Sequence, residues 1–363
     1  MSGRTRAGVE EYDDWPPLAS LVAAGGRASL FLGATWWRTM LEAGLAPGER
    51  PRFLAVHRGG RPELALALAL VSGPGCDTTS LANPYTCLWR PLAEEVSVAD
   101  AAAIGRVLRR EGLVRLDAIP AEWPGLAAFA AGLREAGLTV RRFRHFANWH
   151  EELGRRNWEA YLAARPGALR STLRRRGRKA TFALDVVTEP GAALETAIAD
   201  YEAIYARSWK EPEPFPAFNP TLMRNLAAEG LLRLGLLRDG ARPVAAQLWA
   251  LRADYRHATV LKLAHDERDR AASPGSLLTE AMLRRLIHEE GIASFDFGRG
   301  DDAYKRLWTS ERRQRVGLLV ADWRHPRGLA ALLRHRAGRV RAGLRVLYAR
   351  SPSAKPPEPG DAP

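Results

Sequence analysis

Two stretches of the chain share one pattern, and this pattern decides the predicted fold: RFLAVHRGGRPELALALAL at residues 52–70 and LRLGLLRDGARPVAAQLWAL at residues 232–251. Each consists of an apolar strand, an Arg-Gly-Gly or Arg-Asp-Gly turn, an Arg-Pro pair and a second apolar strand. Glycine adopts positive φ at such turns without strain, so each stretch predicts a β-hairpin. The repetition indicates a duplicated unit.

The likeness continues downstream of the hairpins. GRVLRREGLVRLDAIP (105–120) and RRLIHEEGIASFDFGR (284–299) each predict a basic amphipathic helix, a terminating glycine and a short strand that ends in Asp117 or Asp296. The copies stay about 180 residues apart, which indicates a duplicated domain. The element order predicts an α/β (α+β) fold with a mixed sheet. We place the first copy at 1–150, the second at 151–325, a basic amphipathic helix at 326–350 and a disordered Pro-rich tail at 351–363.

The composition is typical of a globular protein with an anionic partner. Its 363 residues carry a formal net charge of +13, 46% of them are hydrophobic, and the longest apolar run is far shorter than a membrane span. The N-terminus lacks a signal-like apolar segment, and Cys76 and Cys87 are too few for a disulfide framework or a zinc site. We therefore expect a cytoplasmic protein that meets a phosphorylated cofactor, a nucleic acid or the inner face of a membrane.

The stretch SPGSLLTEAMLRRLIHEEG (273–291) carries a strong helix-start signal. Ser273 fits the N-cap, Pro274 the first helical position and Gly291 the position after the helix. The N–H groups near Gly275, Ser276 and Leu277 are then predicted to be free to bind a phosphate. The alternative is an ordinary helix start. The predicted helix lies between two strands, where open α/β folds bind ligands, and this position favours the phosphate site.

The stretch SFDFGRGDDAYKRLW (294–308) predicts a buried strand, a glycine-containing turn and a helix capped by Asp301 or Asp302. Asp296, Tyr304 and Lys305 are expected to converge at the strand end. Only five of the 54 basic residues are lysines, so Lys305 is notable. Three alternatives remain open: Asp296 pins the turn or pairs with an arginine, Lys305 is solvated, and Trp308 belongs to the core.

These motifs, together with LFLGATWW, LANPYTCLWRPL and AAQLWAL, resemble GNAT-superfamily acyltransferases of the CelD/BcsL type, which are linked to cellulose or exopolysaccharide synthesis and related to Fem aminoacyltransferases. The resemblance covers residues 28–325 and implies two tandem GNAT-like domains, the first degenerate and the second the acyltransferase. It implies an acyl-CoA donor, with acetyl-CoA expected, no metal, and an amine acceptor on a sugar or an envelope precursor. The usual Gln/Arg-x-x-Gly-x-Gly/Ala motif is replaced by ERDRAASPGS.

The resemblance also implies roles for individual residues. Tyr304 is the acid for the departing thiolate, Lys305 stabilises the oxyanion or a phosphate, and Asp296 is a base or an orienting group. The remaining predictions place the donor on Ser273, Gly275, Ser276, Leu277 and Gly298, and the acceptor on Asn83, Tyr85, Gln247, Arg299 and Trp308. For Asn83 and Tyr85 the alternative is a loop packed into its own domain.

Two other functions stay open. A Fem-like enzyme would take its acyl group from aminoacyl-tRNA, and the basic helix LRSTLRRRGRK (169–179) suits that partner, although a solvated helix is the alternative. A non-catalytic accessory protein of polysaccharide synthesis would use the helix at 326–350, whose apolar stripe suits either an anionic membrane or packing on the domain.

Overall fold

The computed structural model describes residues 4–6, 8–71 and 78–336, and within them the chain forms one mixed sheet of thirteen strands covered by helices. The strands are β1 (Arg4–Arg6), β2 (Val9–Tyr12), β3 (Glu49–Arg58), β4 (Arg61–Val71), β5 (Thr78–Ser80), β6 (Leu113–Pro120), β7 (Thr139–Glu152), β8 (Ala183–Val187), β9 (Leu232–Asp239), β10 (Arg242–Leu251), β11 (His257–His265), β12 (Ser294–Arg299) and β13 (Glu311–Ala321). The α-helices are α1 (Ala19–Ala28), α2 (Ala34–Ala43), α3 (Val98–Leu108), α4 (Leu126–Glu135), α5 (Trp158–Ala163), α6 (Gly167–Gly177), α7 (Ala192–Ala206), α8 (Phe218–Ala228), α9 (Pro274–His288) and α10 (Ala303–Trp308).

Both predicted hairpins are confirmed. β3 and β4 are antiparallel and meet at Arg58 and Arg61, while β9 and β10 meet at Asp239 and Arg242. The turn glycines have the positive φ that the pattern requires, 58° at Gly59 and 59° at Gly240. Both hairpins carry buried apolar residues, so their interior faces join the core.

The two copies share one sheet because they exchange their last strands. The strand order is β1-β2-β3-β4-β5-β6-β13-β7-β12-β11-β10-β9-β8. The last strand of the second copy, β13, lies between β6 and β7 of the first, and β7 pairs with β12 of the second. The boundary predicted at residue 150 falls inside β7, which ends at Glu152. The exchange places side chains of β7 beside β12, the strand that contains Asp296.

The chain continues after β13 as a helix that begins at residue 326 and is described to residue 336. Two members of its predicted apolar stripe, Leu329 and Leu333, are 47% and 59% exposed, so they do not pack on the domain. The rest of the stripe, like Cys76 and the tail at 351–363, lies outside the described residues. Within the described ranges, every helix is too short or too polar to cross a membrane.

Candidate active site

The site begins where two neighbouring parallel strands separate. β11 and β12 pair only from His257 opposite Ser294 to Thr259 opposite Asp296, and β10 and β11 change register at Trp249. Beyond that point the two strands diverge. The gap leads into a cleft of about 810 Å³, lined by both strands, the start of α9, the start of α10, the segment after α7 and residues 84–87 of the first copy.

Gly298 is required at the point where the strands separate. Its φ is 67°, and a Cβ atom there would lie 3.2 Å from the Val260 carbonyl oxygen and 3.4 Å from the Cys87 sulfur. A larger residue would therefore be strained and would crowd the cleft floor. Cys87 itself is buried, and burial raises the pKa of its thiol to about 11, so it stays protonated and is a poor nucleophile at neutral pH.

The start of α9 forms one end of the cleft, which we call the serine end: Ser273, Gly275 and Ser276. Ser273 is the N-cap, as predicted, with φ 59° and ψ 45° in the left-handed region, and its side chain makes no capping bond. The N–H groups of Ser276 and Leu277 were predicted to be free, but both donate to the Ser273 carbonyl, at 3.1 and 3.2 Å. A ligand phosphate at this end therefore meets the Gly275 N–H and the two serine side chains.

His265 lies beside the serine end. Its Nδ1 is 3.4 Å from the position that a Cβ atom of Gly275 would take, and its ring packs on Trp209 with centroids 4.5 Å apart. Neither ring nitrogen makes a hydrogen bond to a described residue, although Nε2 is 3.5 Å from the Glu267 carboxylate. Burial holds the pKa of His265 below its ordinary value. The neighbouring Arg270 also lines the cleft, so this end attracts anions.

Tyr304 lies in the middle of the cleft. Its hydroxyl is 2.7 Å from Thr279 Oγ1 and 3.2 Å from the Gly275 carbonyl oxygen. Burial raises the pKa of Tyr304 well above its ordinary value, so the hydroxyl keeps its proton. Gln247 donates to Thr279 at 2.9 Å, while its own carbonyl oxygen is buried without a hydrogen-bond partner among the described residues. A donor group on a bound molecule would satisfy that oxygen.

Lys305 turns into the cleft. Asp302 caps α10 by accepting from the Lys305 N–H at 3.2 Å, as the sequence predicted for Asp301 or Asp302. The Lys305 ammonium donates to the Arg299 carbonyl at 2.5 Å and lies 3.5 Å from the Asp302 carboxylate. Its side chain is only 13% exposed. The ammonium is therefore held at the end of β12, where β11 and β12 separate.

A second group of cleft residues, which we call the lysine end, consists of Tyr85, Lys210 and Lys262. Glu213 lies behind it and accepts hydrogen bonds from the Tyr85 hydroxyl and the Lys262 ammonium, each at 2.6 Å. Burial alone would raise the pKa of Glu213, but the bonds from Lys262 and Tyr85 outweigh burial and hold this pKa below its ordinary value. Glu213 therefore stays ionised and ties the two copies together.

Lys210 is the cation of the lysine end without a carboxylate partner. Its ammonium lies 5.6 Å from the Trp209 ring and 5.8 Å from the Tyr205 ring, and no described carboxylate is within ion-pair distance. Burial, followed by repulsion from Lys262, lowers the pKa of Lys210 to about 8. This lysine titrates much closer to neutrality than an ordinary one.

Three of the chain's five lysines, Lys210, Lys262 and Lys305, therefore line one cleft. No sequence motif singled out Lys210 and Lys262, nor Trp209, His265 and Arg270, as residues of the site. The rarity of lysine in an arginine-rich chain was the available signal, because only lysine offers a compact amine whose pKa shifts readily on burial.

The cleft brings together nine of the predicted residues, and four others lie elsewhere. The nine are Tyr85, Gln247, Ser273, Gly275, Ser276, Gly298, Arg299, Tyr304 and Lys305.

The four residues outside the cleft wall have structural contacts. Asp296 accepts from the Asn148 side chain at 2.7 Å and from the Gly298 N–H at 2.5 Å, which is the turn-pinning alternative. Asn83 accepts the Tyr85 N–H and holds its own loop. Leu277 and Trp308 are buried in the core, at 8% and 0% exposure.

Part of the second copy matches a known protein family. Residues 167–306 match the family described as an acetyltransferase (GNAT) domain. The matched segment is less than half of the chain. This match confirms the predicted enzyme class, an N-acyltransferase, for the segment that contains most of the cleft. A search of curated proteins finds no significant relative.

Solved structures with low sequence identity share the fold of nearly the whole chain. A crystal structure of FemX aligns with a TM-score of 0.58 and 12% identity over 88% of this chain and 97% of that one. The C-terminal domain of a putative lysylphosphatidylglycerol synthetase from Agrobacterium fabrum aligns with a TM-score of 0.56 and 14% identity, over 87% of this chain and 94% of that one. L-PGS from Bacillus licheniformis aligns with a TM-score of 0.51 and 12% identity, over 78% of this chain and 86% of that one. The predicted α/β fold class is confirmed.

Proposed function

We propose that the protein transfers an acyl group, with acetyl expected, from an acyl-CoA to the amine of a sugar or envelope precursor. The observation that carries the proposal is the cleft between β11 and β12 of the GNAT domain. It contains an anion-attracting serine end, a protonated Tyr304 and the ammonium of Lys305. The cleft is of the size that proteins use for small ligands.

The two ends divide the reaction between them. The donor's phosphates bind at the serine end, where the Gly275 N–H at the start of α9 and the Arg270 guanidinium attract negative charge. The acceptor amine attacks the thioester carbonyl, and Lys305 stabilises the charge that develops on the carbonyl oxygen. Tyr304 then donates its proton to the departing thiolate, and the proton that the attacking amine loses returns to Tyr304. The acceptor occupies the lysine end beside Tyr85.

Asp296 is a positioning residue in this proposal, because its carboxylate holds Asn148 and the turn at Gly298. Asp296→Asn should lower the melting temperature by several degrees, since a buried charge-assisted hydrogen bond is lost. It should reduce kcat/KM by less than about tenfold, whereas loss of a general base would cost about 10²–10⁴-fold. Calorimetry and steady-state kinetics measure both effects, and a loss of a thousandfold in a folded variant would restore Asp296 as the base.

A thermal-shift panel of acetyl-CoA, longer acyl-CoAs, free CoA and aminoacyl-tRNA tests the donor, because a ligand that binds only the folded state raises its melting temperature. We expect CoA and its thioesters to stabilise the protein. Release of CoA thiol in the presence of an amine then measures transfer. Stabilisation by aminoacyl-tRNA but not by any CoA compound would contradict the proposed donor.

One observation favours the aminoacyl-tRNA alternative. Arg170, Arg174 and Arg175 on α6 and Arg178 directly after it are not buried, and no described carboxylate lies within ion-pair distance of them. Leu169 and Leu173 anchor the opposite face of the helix in the core. RNA binding that weakens steeply with salt, and is lost when these arginines become glutamines, would support this alternative.

The exposed Leu329 and Leu333 favour a second alternative, peripheral contact with an anionic membrane. Flotation with anionic liposomes should then be lost in a chain that ends at Trp323. Equal flotation of the two chains would remove this role.

A further inference from the structure

We infer that the acceptor amine carries a negatively charged group, a carboxylate or a phosphate, and that this group binds the ammonium of Lys210 beside Lys262. The inference rests on the proposed function and names the class of its acceptor. It depends on the charges of the cleft wall, on the position of Lys262 on the opposite face of β11 from Leu263 and His265, and on the lack of a carboxylate partner for Lys210 among the described residues.

The wall of the cleft is strongly cationic. Asp302 is the one carboxylate among the described residues that line it, and it lies beside Lys305. Glu213 lies behind the wall and neutralises only Lys262. Such a wall attracts anions and repels cations. The cationic lining residues are Lys210, Lys262, Arg270, Arg299 and Lys305.

The lysine end and the serine end use different faces of β11. Gly275, at the serine end, lies against Leu263 and His265, whereas the Lys262 ammonium lies 4.4 Å from the Tyr85 ring centroid. Leu263 and His265 project from one face of β11 and Lys262 from the other, while Trp209 lies beside both His265 and Lys210. A donor bound at the serine end leaves the lysine end to the acceptor.

An anion is expected to bind Lys210 more strongly than Lys262 or Lys305. Lys262 already donates to Glu213 and Lys305 to the Arg299 carbonyl, whereas the Lys210 ammonium lies near two aromatic rings and, among the described residues, has no carboxylate within ion-pair distance. Its neighbours Lys262 and Lys305 repel its charge, while Glu213 and Asp302 offset only part of that repulsion. A bound anion would stabilise the ammonium and raise its pKa from about 8.

Two consequences follow for acceptors. An anionic acceptor should bind well below pH 8, where Lys210 is charged, and lose affinity as the pH rises through the pKa of Lys210 and the ammonium is deprotonated. Cationic acceptors such as polyamines should be poor, because their second charge faces Lys210 and Lys262 without a carboxylate to receive it.

Matched acceptor pairs test the inference. Acetyl-CoA is the donor, and glucosamine is compared with glucosamine 6-phosphate, and β-alaninamide with β-alanine, at equal concentrations of free amine. We expect kcat/KM to be about tenfold or more higher for an anionic member. The phosphate pair and the carboxylate pair distinguish the two anions. Equal kcat/KM within both pairs would overturn the inference while leaving acyl transfer intact.

The variant Lys210→Gln assigns the effect to its residue. It should abolish the preference for the anionic member, whereas Lys179→Gln, which changes an exposed lysine outside the cleft, should retain it. A preference that survives in Lys210→Gln would remove Lys210 from the acceptor site.

A binding measurement separates this inference from the proposed reaction. Selective ¹³C labelling of lysine gives signals from only five side chains, and the Lys210 signal is the one lost in Lys210→Gln. Adding glucosamine 6-phosphate or β-alanine should shift the Lys210 signal and raise its pKa, while Lys179 is unaffected. An unshifted Lys210 signal would refute the anion site even if acyl transfer occurs, and a shifted signal without any transfer would refute the reaction alone.

Discussion

Lys305→Ala is expected to reduce kcat by about 10²–10³-fold, the range found when one group that stabilises a developing oxyanion is removed. The Lys305 ammonium is held against the Arg299 carbonyl at the mouth of the cleft, where the thioester carbonyl would lie. Its replacement by a methyl group leaves the developing charge without this cation. Initial rates of CoA release at saturating donor and acceptor measure the loss.

Lys179→Ala is the matched control, because Lys179 is exposed and lies outside the cleft. It should keep the wild-type rate. The melting temperature of Lys305→Ala should stay close to that of the wild type, so that the lost rate reflects chemistry. Near wild-type turnover in folded Lys305→Ala would exclude Lys305 from the mechanism.

Tyr304→Phe is expected to lower kcat by about 10²–10⁴-fold with little change in the KM of the donor, because the phenol is proposed to protonate the thiolate only as it leaves. The Tyr304 ring is retained, so its packing against Phe297, with centroids 6.4 Å apart, is retained. The hydrogen bonds to Thr279 and Gly275 are lost. Steady-state kinetics with acetyl-CoA measure the defect.

A donor with a better leaving group makes this prediction specific to proton donation. When the donor is an acetyl thioester of an aromatic thiol, the leaving group is a stable thiolate that needs no proton. With this donor, Tyr304→Phe should recover much of the wild-type rate. Tyr255→Phe, at an exposed tyrosine outside the cleft, is the control and should behave as the wild type with both donors. An equal defect with both donors would indicate that Tyr304 only shapes the cleft.

The acid role of Tyr304 also predicts a pH dependence. The pKa of Tyr304 is raised by burial, so its proton is retained throughout the neutral and mildly alkaline range. A fall in activity near pH 8 with an anionic acceptor would then report Lys210, whose pKa is lowered to about 8, and should be absent in Lys210→Gln.

Local signals in the sequence identified much of the GNAT domain. Gly240 at the hairpin turn, Ser273 and Pro274 at the helix start and Asp302 at the cap of α10 each act through the backbone of their own segment. Their effect is decided within a few residues, so it is readable from sequence.

The predicted roles of Asp296 and Asn83 show where that reading ends. The sequence placed both at plausible positions, but a carboxylate at a strand end serves a turn or a reaction depending on what faces it. Here Asn148, from the strand that the first copy contributes, faces Asp296, and Asn83 is taken up by its own loop. The partner of Asp296 lies far away in the sequence, and the partner of Asn83 is set by loop geometry that no sequence pattern specifies.

By itself, the sequence determined the two hairpins, the start of helix α9 and the motif that contains Tyr304 and Lys305, because turn and helix-start preferences act between near neighbours in the chain. Only the tertiary structure decided that β7 and β13 change places, that β11 and β12 separate after Asp296, and that Tyr85, Lys210 and Lys262 meet at one end of the cleft. Those contacts join segments far apart in sequence, and they depend on strand pairing and side-chain direction across the whole sheet.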